Sequence, residues 1–373
     1  MTADTFSESW FKLEENATAS PNTGIKINLD GLHYYDLNGN EASPYNYSTF
    51  RFADKTASKN VDLTNIIVSS GEKNEEEPDK STYKEYSLNP EFDKGTTKYE
   101  VELLEYKDEL DIKAILSDTK STMKIKVPKR DEDDKLLYEA DGTTIIYEEK
   151  ELENDTPLRV AINKLGEPDT KLTIVVTAED KITTKEYELV IKRPCGKITG
   201  KVQLGETLRG TADSYGIFLE YIADIKIYEA NKFIWSDLLT DSTDFSILDD
   251  MKLETSTKSD GDTGEFTIYV IPGEYDVFIE KFGYTQAVNT NITVENGATI
   301  DLGEHILQPG DIDRNGYVDA LDLKDMKDML FLNDSTDPSY KSQCDFLGKG
   351  YVDAADLKAI KDSLFELKTI DIR

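Results

Sequence analysis

The sequence is poor in cysteine, in histidine and in long apolar runs. It has only two cysteines, Cys195 and Cys344, which we predict to be free thiols because two cysteines cannot build a disulfide framework. The two histidines, His33 and His305, stand apart from any metal-ligand cluster, which argues against a zinc site or a histidine-based catalytic triad. No stretch approaches the roughly 18 apolar residues of a transmembrane helix, so we expect no membrane insertion.

Positive charge is scarce as well. The 373 residues include 43 Lys and Arg against 75 Asp and Glu, which gives a formal net charge of −32. Such a surface repels phosphate groups, so we expect no binding to nucleic acid, and metal cations and basic patches are its natural partners. The first residues lack the basic-then-apolar order of a signal peptide, and we interpret the chain as a mature fragment with an added Met1.

Most of the chain alternates apolar and polar residues with a period of two, which is typical of β-strands. Examples are the segments 172–176, 187–191 and 266–270. Turn dipeptides such as Pro272-Gly273 separate these segments. The pattern predicts a mainly β fold built from tandem β-sandwiches.

One internal repeat lies near the C-terminus, at an offset of 34 residues. The segment from Asp311 to Leu330 aligns without gaps to the segment from Asp345 to Leu364, and 12 of the 20 positions are identical. In each copy an acidic, glycine-containing loop leads into apolar residues at three- and four-residue spacing, which indicates an amphipathic helix. Each copy is therefore predicted to be a loop followed by a helix.

The first acidic loop fills every ligand position of a 12-residue calcium-binding loop. Such a loop supplies oxygens from positions 1, 3, 5, 7, 9 and 12 and carries glycine at position 6, which is Gly316 here. Four carboxylates, one amide and one main-chain carbonyl suit the hard-oxygen preference of Ca²⁺. A solvated acidic turn is the simpler alternative, but it does not account for this spacing. The predicted ligands are Asp311, Asp313, Asn315, Tyr317 through its carbonyl, Asp319 and Asp322.

The second loop keeps Asp345, Asp353 and Asp356 in register but has Leu347 at position 3 and Lys349 at position 5. Two oxygen ligands are therefore lost, and an ammonium group is placed among the remaining carboxylates. In one interpretation Lys349 stands where the cation would be, pairs with Asp345 and Asp356, and closes the loop without metal. In the other, the loop is a weak calcium site that water completes.

A duplicated loop and helix without the entering helix of an ordinary EF-hand, with the helix motif Asp-Leu-Lys-x-(Met/Ile)-Lys-Asp, resembles the dockerin module of cellulosomal proteins. The resemblance covers Gly310 to about Leu367, and we assign residues 309–373 to this module. It implies a small all-α, calcium-binding domain that binds a cohesin module of a scaffoldin or a cell-surface anchoring protein. In that family the partner contacts lie at loop positions 10 and 11 and on the following helix. The matching residues are Ala320, Leu321, Lys327, Asp328 and Leu332 in the first copy, and Ala354, Ala355, Lys361, Asp362 and Glu366 in the second.

Three segments precede this module. Residues 59–193, which end in LTIVVTAED and YELVIKR, resemble the cadherin-like β-sandwich of bacterial surface proteins. Residues 196–308, with the string GEFTIYVIPGEYDV, resemble a carboxypeptidase-regulatory-like sandwich and, by their position, the X-module found before some dockerins. Residues 1–58, with the strings IKINL and YDLNGNE, resemble the end of a cohesin-like module. Because only three residues lie between Leu307 and Asp311, we expect the X-module and the dockerin to act as one rigid unit.

These features predict a non-catalytic, extracellular attachment protein of the bacterial cell surface that assembles or anchors a cellulosome-type, polysaccharide-degrading complex. An enzyme carried by the dockerin is a second class, but no segment outside the predicted sandwiches is long enough for a catalytic cleft. A third class is carbohydrate binding or adhesion by residues 1–193, with polysaccharide as the partner. Its candidate platform, for which core packing is the alternative, is the aromatic cluster Trp10, Phe11, Tyr34, Tyr35, Tyr45 and Tyr47.

Overall fold

The computed structural model describes residues 57–71, 82–216, 218–231, 253–331, 338–365 and 371–373. Residues Ser58–Arg373 belong to one structural unit. The predicted segment 1–58, including its aromatic cluster, lies outside the described residues except for its last two. Within the described residues the fold is mainly β, with 17 strands and three α-helices, which confirms the predicted fold class.

The first β-sandwich follows from the strict alternation of its strands. Its strands are β1 (Leu63–Ser70), β2 (Lys84–Tyr86), β3 (Lys98–Glu102), β4 (Glu109–Leu116), β5 (Thr122–Pro128), β6 (Tyr147–Leu152), β7 (Leu158–Ala161), β8 (Thr170–Thr177) and β9 (Thr184–Lys192). They form two sheets of order β2-β1-β4-β7 and β3-β9-β8-β5-β6. In β8 the alternate residues Leu172, Ile174 and Val176 are all fully buried, as a strand with one face on a core requires.

The second β-sandwich begins at Gly196. Its strands are β10 (Gly196–Leu204), β11 (Asp224–Glu229), β12 (Thr255–Lys258), β13 (Glu265–Val270), β14 (Gly273–Glu280), β15 (Ala287–Val294) and β16 (Thr299–Leu307). One sheet has the order β13-β10-β16, with β10 and β16 parallel, and the other contains β12-β11-β14-β15. Ile198 and Val277, one from each sheet, are fully buried in the same core.

A helix that the strand pattern did not predict, α1 (Glu206–Tyr215), follows β10. Glycine marks both of its ends: Gly205 is the N-cap, and Gly216 adopts a left-handed φ of 67° that ends the helix. Leu208 and Ala212, four residues apart on one face, are buried in the core of the second sandwich. This four-residue spacing of apolar side chains is the only signal in the sequence that indicates a helix here rather than a strand.

The repeat forms two loop-helix units, as predicted. The helices are α2 (Ala320–Met329) and α3 (Ala354–Phe365), and none of the helices in the described residues is long and apolar enough to cross a membrane. After α3 the chain returns to the second sandwich, where β17 (Asp371–Ile372) pairs in parallel with β15. The last residues of the predicted dockerin segment thus extend a sheet of the sandwich, an arrangement that no local sequence pattern indicates.

The second sandwich and the repeat share one continuous hydrophobic core. Tyr284 of the sandwich meets Phe346 of the second loop edge to face, with ring centroids 5.7 Å apart. The Tyr284 hydroxyl donates a hydrogen bond to the carbonyl of Phe346 at 3.1 Å. Val318 and Ile360 of the repeat are buried in the same core. This packing supports the expectation that the two modules act as one rigid unit.

Tyr106 connects the two sandwiches. Its hydroxyl donates a hydrogen bond to the hydroxyl of Tyr275 at 3.3 Å and accepts one from the amide of Ile271 at 3.2 Å. Burial and the neighbouring Tyr275 raise the pKa of the Tyr106 hydroxyl, which keeps it protonated and able to donate. The three-residue linker from Arg193 to Cys195, reinforced by such contacts, restricts the motion of one sandwich against the other.

Both cysteines are free, which confirms the prediction. Cys344 is fully buried in the shared core, and burial raises the pKa of its thiol to about 12. A buried thiol of high pKa is not a nucleophile at neutral pH and behaves as a small apolar side chain. Cys195 lies half-buried at the junction between the sandwiches.

Gly283 tests the contact between sandwich and repeat. It has a φ of 83°, and a Cβ atom there would lie 2.2 Å from the carbonyl oxygen of Gln343, just before the second copy of the repeat. We expect Gly283→Ala to lower the free energy of unfolding by about 2 to 4 kcal/mol, from left-handed strain plus steric overlap. The matched control is Gly297→Ala, at φ 75° with open space around the new methyl group, which should cost about 1 to 2 kcal/mol. Denaturant unfolding measures both, and equal losses would contradict a tight contact.

Candidate metal centre and partner-binding face

The first loop gathers three predicted ligands in one place. One carboxylate oxygen from each of Asp311, Asp313 and Asp322 lies within 4.8 Å of the others. Asp311 and Asp322 are fully buried, whereas Asp313 is exposed. Gly316, at φ 84°, provides the sharp reversal that the sequence pattern predicted at position 6.

Main-chain amides hold the two buried carboxylates. Asp322 accepts hydrogen bonds from the amides of Ile312 at 2.7 Å and Asp319 at 2.8 Å. Asp311 accepts hydrogen bonds from the amides of Asn315 at 3.0 Å and Gly316 at 3.1 Å. The loop is therefore shaped around these carboxylates, and both point into it.

The other predicted ligands lie at the rim of the loop. Asp319 is outside the three-carboxylate cluster, and its side chain caps α2 by accepting a hydrogen bond from the amide of Leu321 at 2.6 Å. The side-chain oxygen of Asn315 accepts a hydrogen bond from the amide of Tyr317 at 2.9 Å. The structure thus brings together three of the four predicted carboxylate ligands, and Asn315 lies beside them, with its Nδ2 donating a hydrogen bond to Asp313 Oδ2 at 3.2 Å.

The electrostatics of the cluster favour a bound cation. Burial, with the neighbouring Asp322 charge, raises the pKa of Asp311 to about 7. Burial, with the charge of Asp313, raises the pKa of Asp322 to about 6. Both shifts mean that the paired negative charges are unfavourable without a counterion. The hard-oxygen donor set, with two of its carboxylates buried, fits a calcium ion.

The second sandwich reaches into the first loop through two contacts that sequence reasoning missed. The Nε2 of Gln286 donates hydrogen bonds to Asp311 Oδ2 at 2.7 Å and to the carbonyl of Tyr284 at 2.8 Å. Arg314 of the loop pairs with Glu280 at the end of β14, at 2.7 Å. No local signal in the sequence marks Gln286 or Glu280, because only the tertiary fold brings them to the loop.

The second loop contains an internal ion pair. The ammonium nitrogen of Lys349 lies 2.6 Å from Asp353 Oδ1 and 3.0 Å from Asp356 Oδ2. The predicted partner Asp356 is therefore right, but the predicted partner Asp345 is wrong. Asp345 instead accepts hydrogen bonds from the amides of Lys349 at 3.0 Å and Gly350 at 2.6 Å, so both of its oxygens are turned toward the main chain of the loop.

The predicted partner-binding residues lie on accessible parts of both copies. Leu321 is 61% exposed, although it is a large apolar residue. The face that packs inward carries Met326 and Met329, with Leu323 and Leu330 partly buried. Leu332 and Glu366 lie outside the described residues. The exposed members are Ala320, Leu321, Lys327, Asp328, Ala354 and Lys361, and the half-buried members are Ala355 and Asp362.

Comparison with protein families identifies two of the modules. Residues 63–194 match the Cadherin-like beta sandwich domain, and residues 309–365 match the Dockerin type I domain. The loop-helix repeat thus matches type I dockerins and the first sandwich matches cadherin-like sandwiches, which confirms the predicted dockerin-bearing protein with a cadherin-like β-sandwich. Comparison with curated proteins finds no match.

Several solved structures resemble parts of this chain distantly. Two interface mutants of a type II Cohesin-X-Dockerin complex from Acetivibrio cellulolyticus, altered at the N-terminal and C-terminal interface, are 17% and 16% identical, each with a TM-score of 0.30. Each match covers 47% of this chain and 97% of that chain. The Bacillus anthracis TIE protein is 12% identical, with 60% of this chain and 40% of that chain covered and a TM-score of 0.20. Likenesses of this strength carry no argument about function.

Gln286 provides a test of how the sandwich supports the loop. We expect Gln286→Met to weaken divalent-cation binding by about 10- to 100-fold, because Asp311 loses the side-chain hydrogen bond that orients it. Calorimetric titration with Ca²⁺ measures this affinity. The control is Gln203→Met in the same sandwich, whose side chain bonds Arg209 instead. Equal affinities of the two variants would contradict a positioning role for Gln286.

Proposed function

We propose that this chain is a non-catalytic attachment protein whose C-terminal dockerin binds a cohesin module in a calcium-dependent manner. The observation that carries the proposal is the match of residues 309–365 to type I dockerins. The attachment would assemble or anchor a polysaccharide-degrading complex outside the bacterial cell. Cadherin-like sandwiches and dockerins are non-catalytic module types, and residues 196–308 are assigned in this proposal to an X-module that supports the dockerin.

Calcium is the proposed cofactor of the first loop. Asp311, Asp313 and Asp322 would hold the ion from the carboxylate cluster, and Asn315, Tyr317 and Asp319 would complete the oxygen set from the rim. The ion would supply the positive charge that the two buried carboxylates lack. Since α2 begins at the end of this loop, fixing the loop also fixes the helix that carries the first partner-binding face.

The proposed contact face combines a large apolar residue with charged neighbours. Leu321 is exposed at the start of α2. Burial of such an apolar residue by a partner contributes a large share of the binding free energy. Lys327 and Asp328 are exposed one to two turns further along, and Asp328 also lies 3.8 Å from Lys324. Charges of this kind set encounter rate and specificity more than affinity. A strongly acidic chain should favour a cohesin with basic surface.

Calcium dependence of cohesin binding tests the proposal as a whole. The complete chain is titrated against a panel of cohesins, in calcium and in excess chelator. We expect at least one cohesin to bind in calcium and to lose that affinity in chelator, because removal of the ion leaves Asp311 and Asp322 uncompensated. Failure of every cohesin to bind in calcium, or affinity that chelator does not change, would contradict the proposal. A polysaccharide that binds instead would favour the adhesion alternative.

Leu321→Asp tests the contact face. We expect at least about 30-fold weaker cohesin binding, the loss typical of a central apolar anchor, with unchanged helical circular dichroism in calcium. The matched control is Ile182→Asp, which places the same change at an aliphatic side chain that is 71% exposed in the first sandwich. Full affinity of Leu321→Asp would contradict a contact at this residue.

A further inference from the structure

The second loop of the repeat lacks the donor set that a divalent cation needs. Leu347, at position 3, has no side-chain oxygen and is buried in the core shared with the sandwich. Position 5 is Lys349, which brings a positive charge where the first loop has the amide of Asn315. Three carboxylates remain, and an ammonium group stands among them. A second calcium ion does not fit these residues.

The main chain of the second loop is nevertheless shaped like that of the first. Asp345 accepts hydrogen bonds from two loop amides, as Asp311 does in the first loop. Asp356 accepts hydrogen bonds from the amides of Asp353 at 3.0 Å and Leu347 at 3.2 Å, which parallels the role of Asp322. The loop conformation is thus kept although the ligands are lost, so another group must balance the buried carboxylate.

The side chain of Lys349 is close enough to balance the charge of the buried Asp356 carboxylate. Its ammonium nitrogen lies 2.6 Å from Asp353 and 3.0 Å from Asp356, at loop positions 9 and 12. Asp356 is fully buried, and the Lys349 side chain is 11% exposed. The ring of Tyr351 covers the ammonium group from another side, with 5.0 Å between the nitrogen and the ring centroid. Contacts on several sides distinguish this group from a surface lysine.

We propose that Lys349 is a built-in cation that closes the second loop in place of a divalent ion. This inference refines the proposed function, because it limits the calcium dependence of the dockerin to the first loop. The second loop and α3 then keep their structure when calcium is removed. A divalent ion would have to displace a covalently tethered ammonium group and would find no oxygen at positions 3 and 5.

Lys349→Met is the direct test, since it removes the charge and keeps most of the side-chain volume. In excess chelator we expect this variant to unfold roughly 6 °C or more below the parent chain, because Asp356 is left buried without a cation. The control is Lys358→Met in the same repeat, where the Lys358 side chain is 58% exposed and pairs with Asp362 at 2.5 Å. This exposed pair should contribute little. Equal melting temperatures of the two variants would overturn the proposal.

The number of bound calcium ions provides an independent test of the proposal. Native mass spectrometry of the whole chain with Ca²⁺ should show one bound ion in the parent, none in Asp322→Asn, and two in the variant Leu347→Asp with Lys349→Asn. This variant restores the donors of positions 3 and 5. Two ions in the parent, of which Asp322→Asn removes only one, would overturn the proposal even if the double variant does not fold.

The outcomes separate this inference from the proposed function. Loss of stability in Lys349→Met is measured in chelator and without a cohesin, so it does not depend on partner binding. If no cohesin binds but Lys349→Met is destabilised in chelator, the proposed function fails and the built-in cation stands. If cohesin binds and the parent takes up two ions, the built-in cation fails and the attachment function stands.

Discussion

The burial of negative charge is the constraint on which the C-terminal half of this chain depends. Asp311, Asp322 and Asp356 are all fully buried, and an uncompensated buried carboxylate costs several kcal/mol, on the order of 3 to 5. Loop amides satisfy part of this demand in both copies, but amides carry only partial charges. A cation in each loop would neutralise the remaining charge and keep these carboxylates ionised. The first loop offers hard oxygens for a calcium ion, and the second has Lys349 within its own chain.

The second sandwich also stabilises the repeat and its first loop. A repeat of about 58 residues with two helices buries too little apolar surface for a stable fold of its own. Here it adds its apolar residues to the core of the sandwich, and Tyr284 both packs on and hydrogen bonds to Phe346. Gln286 then holds Asp311 from the sandwich side. The support for the first loop thus comes from outside the dockerin sequence, which makes the two modules one structural unit.

The sequence predicted the features that local patterns determine. The period of two predicted the strands of both sandwiches, and the 34-residue repeat predicted α2 and α3. Loop spacing also placed Asp311 and Asp322 in one predicted ligand set, but their full burial follows from the tertiary packing. Features that depend on tertiary contacts were missed: the pairing of β17 with β15, the hydrogen bond from Gln286, and the preference of Lys349 for Asp353 over Asp345. In the last case the lysine stem and both acids lie in one loop, and only the loop conformation decides which carboxylate faces the ammonium group.

The two copies of the repeat are unequal in ways that bear on how a partner would bind. At loop position 11 the first copy presents Leu321, 61% exposed, where the second has the smaller and half-buried Ala355. If Lys349 replaces the second ion, only the first copy responds to calcium. The larger exposed apolar side chain and the proposed calcium loop therefore belong to the same copy. A repeat with two equal faces could bind a partner in two orientations, whereas this inequality favours the one in which Leu321 is buried.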